Sequence, residues 1–337
     1  MPTPLRFGSF STAGCAPFAG LVIDDRFALA VTALQPACLA LGRPLSGTST
    51  LAGLVEDWER NVAAIRIALE GGADTSMAVP LPQLRRHAPL PAPRQVVCCG
   101  ANYRKHVVEL LVAQGGGAIT DAITPDERRA LALQLMDKRA ASGTPYAFVK
   151  ATSAVAGPDD VLLLPAHVHQ ADWELELAVV MARQAFHVGR ACAMEYVAGY
   201  MIANDITARD HVYRTDDMRV LGTDWLTGKS GPGFLPTGPY LVPREDVSDE
   251  MALRIQLSLN GELMQDESTE DMIFDIPRLL EYVTSRIRLF PGDVVCTGSP
   301  AGNGAHHNRY LQDGDVMEGA ITGLGAQRVR CVRALAI

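Results

Sequence analysis

The segment from Asp172 to Val180 places the strongest constraint on the fold, because it has the pattern of a β-strand and carries acidic side chains among its apolar ones. Side chains alternate between the two faces of a strand, so Glu174 and Glu176 point the same way. Two such carboxylates lie about 7 Å apart and repel each other unless water or a cation separates them. The pattern therefore indicates either a Mg²⁺ or Ca²⁺ site built from carboxylate oxygens or a strand with one solvated face.

Composition and charge are those of an ordinary globular protein. The 337 residues are 48% hydrophobic and 20% charged, with a formal net charge of −8, so we expect no nucleic-acid partner. No apolar run reaches the roughly 18 to 20 residues of a membrane span, so we expect no membrane association. The longest run, 27–42, lacks a basic start and does not resemble a signal peptide, which favours a cytoplasmic location. The seven scattered cysteines are typical of reduced thiols, and we expect none to act as a ligand or nucleophile.

Periodicity and proline content divide the chain in two. Apolar residues recur at helical spacing over 51–69, which predicts one helix, and the five prolines within 80–94 predict an extended linker. We therefore expect a small N-terminal α+β domain at 1–90 and a larger domain at 91–337. The larger domain is β-rich, and its clearest hairpin has the two-residue turn Asn260-Gly261. The fold class is α+β.

Two helices are predicted near the start of the larger domain. The first covers 103–113, the glycines at 115–117 end it, and the second starts at Pro125 and runs to about residue 140. A pair of helices joined by glycines, beside a candidate active-site loop, suggests a lid over about 103–145. An ordinary helical insertion explains the pattern equally well.

A further carboxylate follows the apolar strand predicted at 200–204. Asp205 is a candidate third cation ligand, because a carboxylate at the end of a strand faces the edge of the sheet. An aspartate in this place also commonly caps a following helix, here through Thr207 and Ala208. The sequence alone leaves both interpretations open.

Three further features complete the candidate chemistry: a histidine–glutamate pair, a lysine and a pair of histidines. His106 and Glu109 share a helix face, so the carboxylate can orient an imidazole that accepts a proton from water, although such pairs are also common on surfaces. Lys229 lies in a glycine-rich segment that we expect to be a loop, where its ammonium would stabilise an enolate or simply be solvated. His167 and His169 resemble a zinc pair, but no third ligand has suitable spacing, so we expect no zinc site.

These segments together resemble the fumarylacetoacetate hydrolase (FAH) family over about residues 95–333. Six blocks occur in the order of the family, which makes the resemblance more specific than any single motif. The blocks are Asn102–Glu109 (N-Y-x-x-H-x-x-E), Glu174–Glu176 (E-x-E), Asn204–Asp210 (N-D-x-T-A-R-D), Gly228–Pro239 (the lysine loop), Thr269–Phe274 and Pro291–Gly302.

The resemblance implies an FAH-type mixed β-sandwich roll with a helical lid insertion, active on a small keto acid or diketone and commonly a homodimer. It implies that Mg²⁺, or else Mn²⁺ or Ca²⁺, binds to Glu174, Glu176 and Asp205. It also implies that a lid segment which orders on substrate binding carries the water-activating dyad. The catalytic residues would be His106, Glu109 and Lys229, and the substrate-binding residues would be Tyr103, Arg209, Thr297, Gly298 and Ser299.

The chain departs from the family pattern at several places. Val212 stands where a glutamine is common, Pro232 replaces a frequent aspartate, and Ser299 changes the usual T-G-T-P. The segment 305–309 is unlike the common pattern, and the long insertion over 110–144 points to a larger or more apolar acyl group. These departures leave the metal chemistry intact but put any familiar substrate in doubt.

Hydrolysis of a C–C bond in a 1,3-dicarbonyl acid is the function that the sequence favours, because only hydrolysis needs the water-activating pair. Decarboxylation or keto–enol isomerisation by the same metal–enolate site is the alternative. A catalytically silent binding homologue is a third hypothesis, with the residues at 212 and 232 as signs of decay. The sequence does not identify the acyl group or the native metal.

Overall fold

Within the residues that the structure describes, the strands form three larger sheets and two small ones. A computed structural model describes residues 4–114, 119, 123–215, 217, 220 and 222–334. The predicted glycine hinge at 115–117 lies outside the described residues. The strands are β1 (Phe7–Ser11), β2 (Phe18–Ile23), β3 (Phe27–Ala30), β4 (Val79–Pro80), β5 (Arg85–His87), β6 (Val96–Gly100), β7 (Tyr146–Lys150), β8 (Val155–Ala156), β9 (Leu162–Leu164), β10 (Ala171–Asp172), β11 (Leu175–Met181), β12 (Val197–Asn204), β13 (Thr207–Ala208), β14 (Leu235–Pro236), β15 (Val242–Pro243), β16 (Arg254–Leu259), β17 (Glu262–Ser268), β18 (Val294–Cys296), β19 (Val316–Ile321) and β20 (Gly325–Arg333).

The α-helices contribute fewer residues to the described structure than the strands do. The α-helices are α1 (Gln35–Ala40), α2 (Leu51–Val55), α3 (Trp58–Glu70), α4 (Arg104–Gln114), α5 (Pro125–Ser142), α6 (Arg209–Val212), α7 (Trp225–Lys229), α8 (Ile276–Thr284) and α9 (Gly304–His307). Short 3₁₀ helices cover Val31–Leu34, Leu81–Gln83, Thr152–Ala154, Arg190–Tyr196, Arg244–Asp246 and Thr269–Asp271. Within the described ranges, none of the helices has both the length and the apolar character needed to cross a membrane.

Two mixed sheets face each other in the larger part of the chain. One has the strand order β15-β12-β11-β18-β6-β7 and the other the order β17-β16-β19-β20-β9. Strand β11 packs on β16, and β12 packs on β20. The sheets approach closely at Gly319, where an added Cβ would come within 2.7 Å of a methyl of Leu175. The prediction of a β-rich α+β fold is confirmed. The turn at Asn260-Gly261 joins β16 to β17 with both residues at positive φ, as such a hairpin requires.

The N-terminal sheet, in the order β4-β3-β2-β1-β5, packs with α1 to α3 against the rest of the chain. Phe7 exchanges two backbone hydrogen bonds with Leu241, and the Trp58 indole donates to the carbonyl of Ala198 at 2.7 Å. The proline segment 80–94 supplies β5 and buries Leu90 instead of spanning a gap. The apolar core is continuous across residue 90, and the division into domains stays a prediction.

The single helix expected over 51–69 is wrong, because the chain breaks it into α2 and α3. Thr50 caps α2 by accepting from the amide of Gly53. Asp57 leaves the helical region, with φ −133° and ψ 47°. The buried Asn61 side chain donates to the carbonyl of Leu54, which a continuous helix would use internally.

The predicted helix pair is present as α4 and α5, which pack together over a small apolar core separate from the main one. Val108 and Met136 are buried in this core. The N-terminus of α5 carries a capping box, in which the Thr124 hydroxyl accepts from the amide of Glu127 and the Glu127 carboxylate accepts from the amide of Thr124. That the pair acts as a lid stays a prediction.

Candidate active site

Three buried carboxylates meet at the carboxyl end of β12. Glu174, Glu176 and Asp205 each offer an oxygen within 4.8 Å of the others, and the residues are 8%, 2% and 1% exposed. Antiparallel pairing brings them together, because Leu175 lies opposite Asn204 and the amide of Asp205 donates to the Glu174 carbonyl at 2.8 Å. A strand with one solvated glutamate face is therefore the wrong interpretation.

Asp205 does not cap a helix, so that alternative is also wrong. The residue preceding α6 is Ala208, and no side chain caps that helix. The Asp205 carboxylate instead accepts from two lysine ammoniums, from Lys150 at 2.5 Å and from Lys229 at 2.6 Å. Its oxygens are thus directed to the centre of the carboxylate cluster.

Lys229 lies in this cluster, but the expectation that it belongs to a loop is wrong. It is the last residue of α7, which Asp224 caps by accepting from the amide of Thr227. Gly228 contacts Val212 so closely that an added Cβ would come within 2.7 Å of a valine methyl. The glycine therefore permits close packing of a one-turn helix, and it does not mark a loop. The Lys229 ammonium also donates to Glu174 at 2.7 Å.

Lys150 was not found by sequence reasoning. It ends β7, is fully buried, and also donates to the carbonyl of Ile206 at 3.1 Å. A lone lysine that closes a short strand between apolar neighbours is a weak signal, because a long side chain in that position usually reaches water.

One carboxylate of this cluster has no cationic partner in the described structure, which makes the cluster a candidate metal centre. Burial acts to raise the pKa of Glu174, but Arg209 and Lys229 outweigh it and hold that pKa at about 2. Glu176 lacks such a partner within the described structure and accepts only from the amide of Gly298, at 2.8 Å. Burial, followed by the nearby carboxylate of Asp205, raises the pKa of Glu176 well above its ordinary value. A divalent cation would satisfy this oxygen-only donor set.

Arg209 connects the cluster to the short helix α9. Its guanidinium donates to Asp172 at 2.8 Å and also pairs with Glu174. The buried Asp172 carboxylate then accepts from the amides of Gly304 and Ala305, at 2.5 and 3.2 Å. Arg209 pairs with two protein carboxylates and also lines the adjoining cavity, and its predicted contact with substrate stays a prediction.

His106 and Glu109 face the same cavity from α4, beside the cluster. No hydrogen bond joins them in the described structure, and the Glu109 carboxylate lies 3.3 Å from Nδ1 of His306 instead. Burial is the main cause that lowers the pKa of His106, to about 4, so its imidazole is neutral near pH 7. His306, on α9, was not among the residues singled out from the sequence.

The turn at residues 297–299 lies against the carboxylate cluster, where its Gly298 amide contacts Glu176. Gly298 has φ 103° and lies against the backbone of Cys99, which leaves no room for a Cβ. The Thr297 hydroxyl donates to Leu177, and the Ser299 hydroxyl accepts from Gln265. Both hydroxyls thus have protein partners.

The Tyr103 side chain is fully buried, and neither it nor the 297–299 turn lines the cavity. The predicted substrate contacts of these residues stay predictions.

A cavity of about 480 Å³ opens beside the cluster. His106, Glu109 and Arg209 line one side of it, and aromatic residues such as Trp225 line another. Val212, one of the departures from the family pattern, is part of this lining, whereas the exposed Pro232 is not. The loss of a polar side chain at 212 therefore affects the cavity directly, and the change at 232 does not.

The family model for the fumarylacetoacetate hydrolase C-terminal domain matches residues 95–332. The chain is 33% identical over 278 residues to a mitochondrial oxaloacetate tautomerase of Bos taurus, covering 82% of this chain and 77% of the relative. It is 34% identical over 267 residues to a 2,4-didehydro-3-deoxy-L-rhamnonate hydrolase of a Sphingomonas species, covering 78% of this chain and 82% of the relative.

A solved structure of similar fold contains a bound metal. It is the maleylpyruvate hydrolase of Sphingobium in complex with manganese(II) and pyruvate, with a TM-score of 0.69 and 26% identity. The match covers 98% of this chain and 100% of that one.

Proposed function

This chain belongs to the fumarylacetoacetate hydrolase family, and on that premise we propose that it is a divalent-metal-dependent hydrolase that cleaves a C–C bond in a 1,3-dicarbonyl acid of the acylpyruvate type. The expected cation is Mg²⁺, with Mn²⁺ or Ca²⁺ as alternatives, and a manganese-bound solved relative supports a divalent ion. Assembly as a homodimer and a cytoplasmic location stay predictions.

The convergence of three buried carboxylates carries the proposal. Glu174, Glu176 and Asp205 lie within reach of one ion, and Glu176 has no cationic side chain to balance it in the described structure. Leaving such a carboxylate buried and unpaired is costly, whereas a hard cation would stabilise all three. When bound, the cation would polarise the oxygens of the 2-oxo acid as a Lewis acid.

The remaining side chains supply proton transfer and charge stabilisation. His106 is neutral near pH 7 and faces the cavity, so it can accept a proton from a water that attacks the distal carbonyl. The bond between that carbonyl carbon and the neighbouring carbon then breaks, and the electron pair leaves as an enolate. Lys229 provides a fixed positive charge beside the developing negative charge. The proton held by His106 returns to the enolate carbon.

Keto–enol isomerisation of a 2-oxo acid is the second candidate, and one observation favours it. Glu109 is turned to His306 and does not orient His106, as a water-activating dyad would require. Isomerisation needs only a base that moves a proton between carbon and oxygen, so His106 alone would suffice. Decarboxylation by the same site and a silent binding protein are the remaining alternatives.

The test compares the His106→Asn variant with wild type on a panel of acylpyruvates and on oxaloacetate, with products identified by mass. If His106 is the base, kcat falls by about 10²- to 10⁴-fold while Mn²⁺ binding by titration calorimetry is unchanged. His307→Asn is the matched control, because its ring contacts the carbonyl of Met264 and does not line the cavity.

If wild type converts an acylpyruvate to two smaller acids, the result supports the hydrolase. If the enol form of the substrate disappears and the mass of the substrate does not change, the result supports the isomerase. Full turnover by His106→Asn would remove His106 from the mechanism.

A further inference from the structure

The cavity beside the carboxylate cluster has one aromatic wall. Trp225, which lines the cavity, stacks on the ring of Phe148 with the ring centroids 4.7 Å apart and an angle of 14° between the planes. The Tyr146 ring lies 5.9 Å from the same indole. Phe148 and Tyr146 belong to β7 and are not part of the cavity lining, so this strand supports the indole that the cavity exposes.

The spacing of residues along β7 and α7 joins this wall to the carboxylate cluster. Residues two apart on a strand share a face, so Phe148 lies beside Lys150, whose ammonium donates to Asp205 at 2.5 Å. Residues four apart on a helix also share a face, so Trp225 lies beside Lys229, whose ammonium donates to the same carboxylate at 2.6 Å. The Lys229 ammonium is 5.5 Å from the centre of the Phe148 ring. The aromatic pair therefore borders the cluster directly.

Val212 extends the apolar part of this wall. It lines the cavity and packs against Gly228, where an added Cβ would come within 2.7 Å of a valine methyl. Gly228 lies in α7 between Trp225 and Lys229, so the apolar surface continues from the indole toward the cluster. The side chain at position 212 offers no hydrogen bond to a substrate, unlike the glutamine that is common in the family pattern.

A flat aromatic wall favours one kind of acyl group. The face of an aromatic ring carries the negative part of the ring quadrupole, so it attracts the edge of a second ring and disfavours a carboxylate. Offset-stacked or edge-to-face contact between rings adds to the free energy that is gained by burying apolar area. An acyl portion that is itself an aromatic ring gains both contributions.

We propose that Trp225, supported by Phe148, selects the acyl portion of the substrate, and that the enzyme acts on 2-oxo acids whose acyl portion is an aromatic ring. The inference rests on the proposed function, since it places the 2-oxo acid group at the metal centre. A ring bonded directly to the distal carbonyl then lies against the indole. The expectation of a larger or more apolar acyl group thereby becomes a specific chemical class.

The test measures binding and does not depend on turnover. The probes are 2-oxo acids without the second carbonyl that cleavage requires. They are 2-oxo-4-phenylbutanoate, 2-oxo-4-cyclohexylbutanoate, whose ring is neither flat nor aromatic, and 2-oxohexanedioate. Their dissociation constants are measured on the full-length, Mn²⁺-loaded enzyme by titration calorimetry. Wild type is expected to bind the phenyl acid about tenfold more tightly than the dioate, because a carboxylate against the indole loses its water without gaining a partner.

The ratio of the dissociation constants of the cyclohexyl and phenyl acids isolates the aromatic contact, because general damage to the cavity weakens both acids alike. In Trp225→Leu this ratio is expected to fall by about 3- to 10-fold, the range of one aromatic pair. Trp225→Phe keeps an aromatic face and is expected to retain the wild-type ratio.

Leu226→Ala is the matched control, since Leu226 is exposed on the same helix and lies outside the cavity lining. It is expected to retain the wild-type ratio. If Trp225→Leu does not fold, Phe148→Leu takes its place. That variant removes the ring that supports the indole, and it is expected to lower the ratio in the same direction.

Binding of the dioate by wild type as tightly as the phenyl acid would overturn the inference, and so would an unchanged ratio in Trp225→Leu. An equal fall of the ratio in Trp225→Phe or in Leu226→Ala would overturn it too, because the aromatic face would then not be the cause. If the expected ratios are observed on an enzyme that does not cleave 2,4-dioxo-4-phenylbutanoate, the aromatic wall is retained and the proposed hydrolase is rejected.

Discussion

At the scale of single residues, the Lys229 ammonium lies among the carboxylates that we propose bind a metal ion. Lys229 lies 2.7 Å from Glu174 and 2.6 Å from Asp205, and it is almost fully buried. Burial acts to lower the pKa of this lysine, but the two carboxylates outweigh it and raise the pKa above its ordinary value. Without a metal ion, this ammonium is therefore one of the counter-ions, with Lys150 and Arg209, that keep these carboxylates buried.

Replacement of Lys229 should lower the stability of the metal-free protein and raise its affinity for Mn²⁺. In Lys229→Met each carboxylate loses one of its two cationic partners, since Asp205 keeps Lys150 and Glu174 keeps Arg209, and we expect the metal-free protein to lose about 1 to 3 kcal/mol. The Mn²⁺ affinity should rise by about tenfold or more, because a positive charge near the ion is removed. Melting temperature with and without Mn²⁺, together with titration calorimetry, measures both effects.

Lys105→Met is the control for this prediction, since Lys105 is half exposed and pairs with Glu267 at the surface. A Lys229→Met protein with the wild-type Mn²⁺ affinity would contradict the interpretation of Lys229 as a competing cation.

The carboxylates could be predicted from the sequence, whereas several of their partners could not. Glu174 and Glu176 stand out because alternation places both on one face of a strand. Lys150 leaves no comparable pattern, since it is a single polar residue whose role depends on burial produced by distant segments. Sequence spacing also placed Glu109 beside His106, and only the tertiary structure brings His306 close enough to pair with it.

At the scale of elements, the helix pair α4–α5 is held by local contacts more than by the main core. Its apolar core is small and separate, and the N-terminus of α5 depends on the capping box of Thr124 and Glu127. Local capping of this kind can be read from sequence, which is why Pro125 predicted the start of α5 correctly. The break between α2 and α3 could not be predicted from the sequence, because the bond from the buried Asn61 side chain to the Leu54 carbonyl is visible only in the tertiary structure.

Loss of the cap should loosen α5 without affecting the metal centre. In Thr124→Ala we expect about 1 kcal/mol less local stability, since an amide at the helix N-terminus loses its acceptor. Hydrogen exchange should accelerate several-fold across the first turns of α5, while the Mn²⁺ affinity stays at the wild-type value. Ser142→Ala, at the exposed end of the same helix, is the control. Equal protection of α5 in the two variants would show that the cap does not hold the helix pair.

At the scale of the whole molecule, the described part of the N-terminal 90 residues packs against the larger part of the chain, which contains the carboxylate cluster. Phe7 is bonded to the backbone of Leu241, the Trp58 indole to Ala198, and the Arg66 guanidinium to Asp246. The apolar core extends without interruption through both parts. The prolines within 80–94 predicted a domain boundary near residue 90. Such prolines indicate an extended segment, but they do not show whether the parts on either side share an apolar core.

A fragment of residues 91–337 should therefore not fold by itself. Removal of the N-terminal part exposes apolar surface around Ala198 and Leu241, and we expect the fragment to lack a cooperative thermal transition and to aggregate. Circular dichroism on heating and light scattering measure this. Trp58→Phe in the full chain, which loses one indole hydrogen bond, should retain the transition with a loss of about 1 kcal/mol. A fragment that unfolds cooperatively and binds Mn²⁺ would establish the predicted domain division.

The Asp172 carboxylate connects the carboxylate cluster, which we propose binds the metal ion, to helix α9, which lines the cavity. Through Arg209 it contacts the Glu174 ligand, and through two amides it fixes the start of α9. A change in the sequence of α9 that alters which substrates fit would thus be transmitted to the electrostatics of the ion. On the proposed function, we therefore expect substrate range and choice of metal to change together, and we expect a transplant of α9 from a relative to succeed only if the residues at positions 172 and 209 are carried with it.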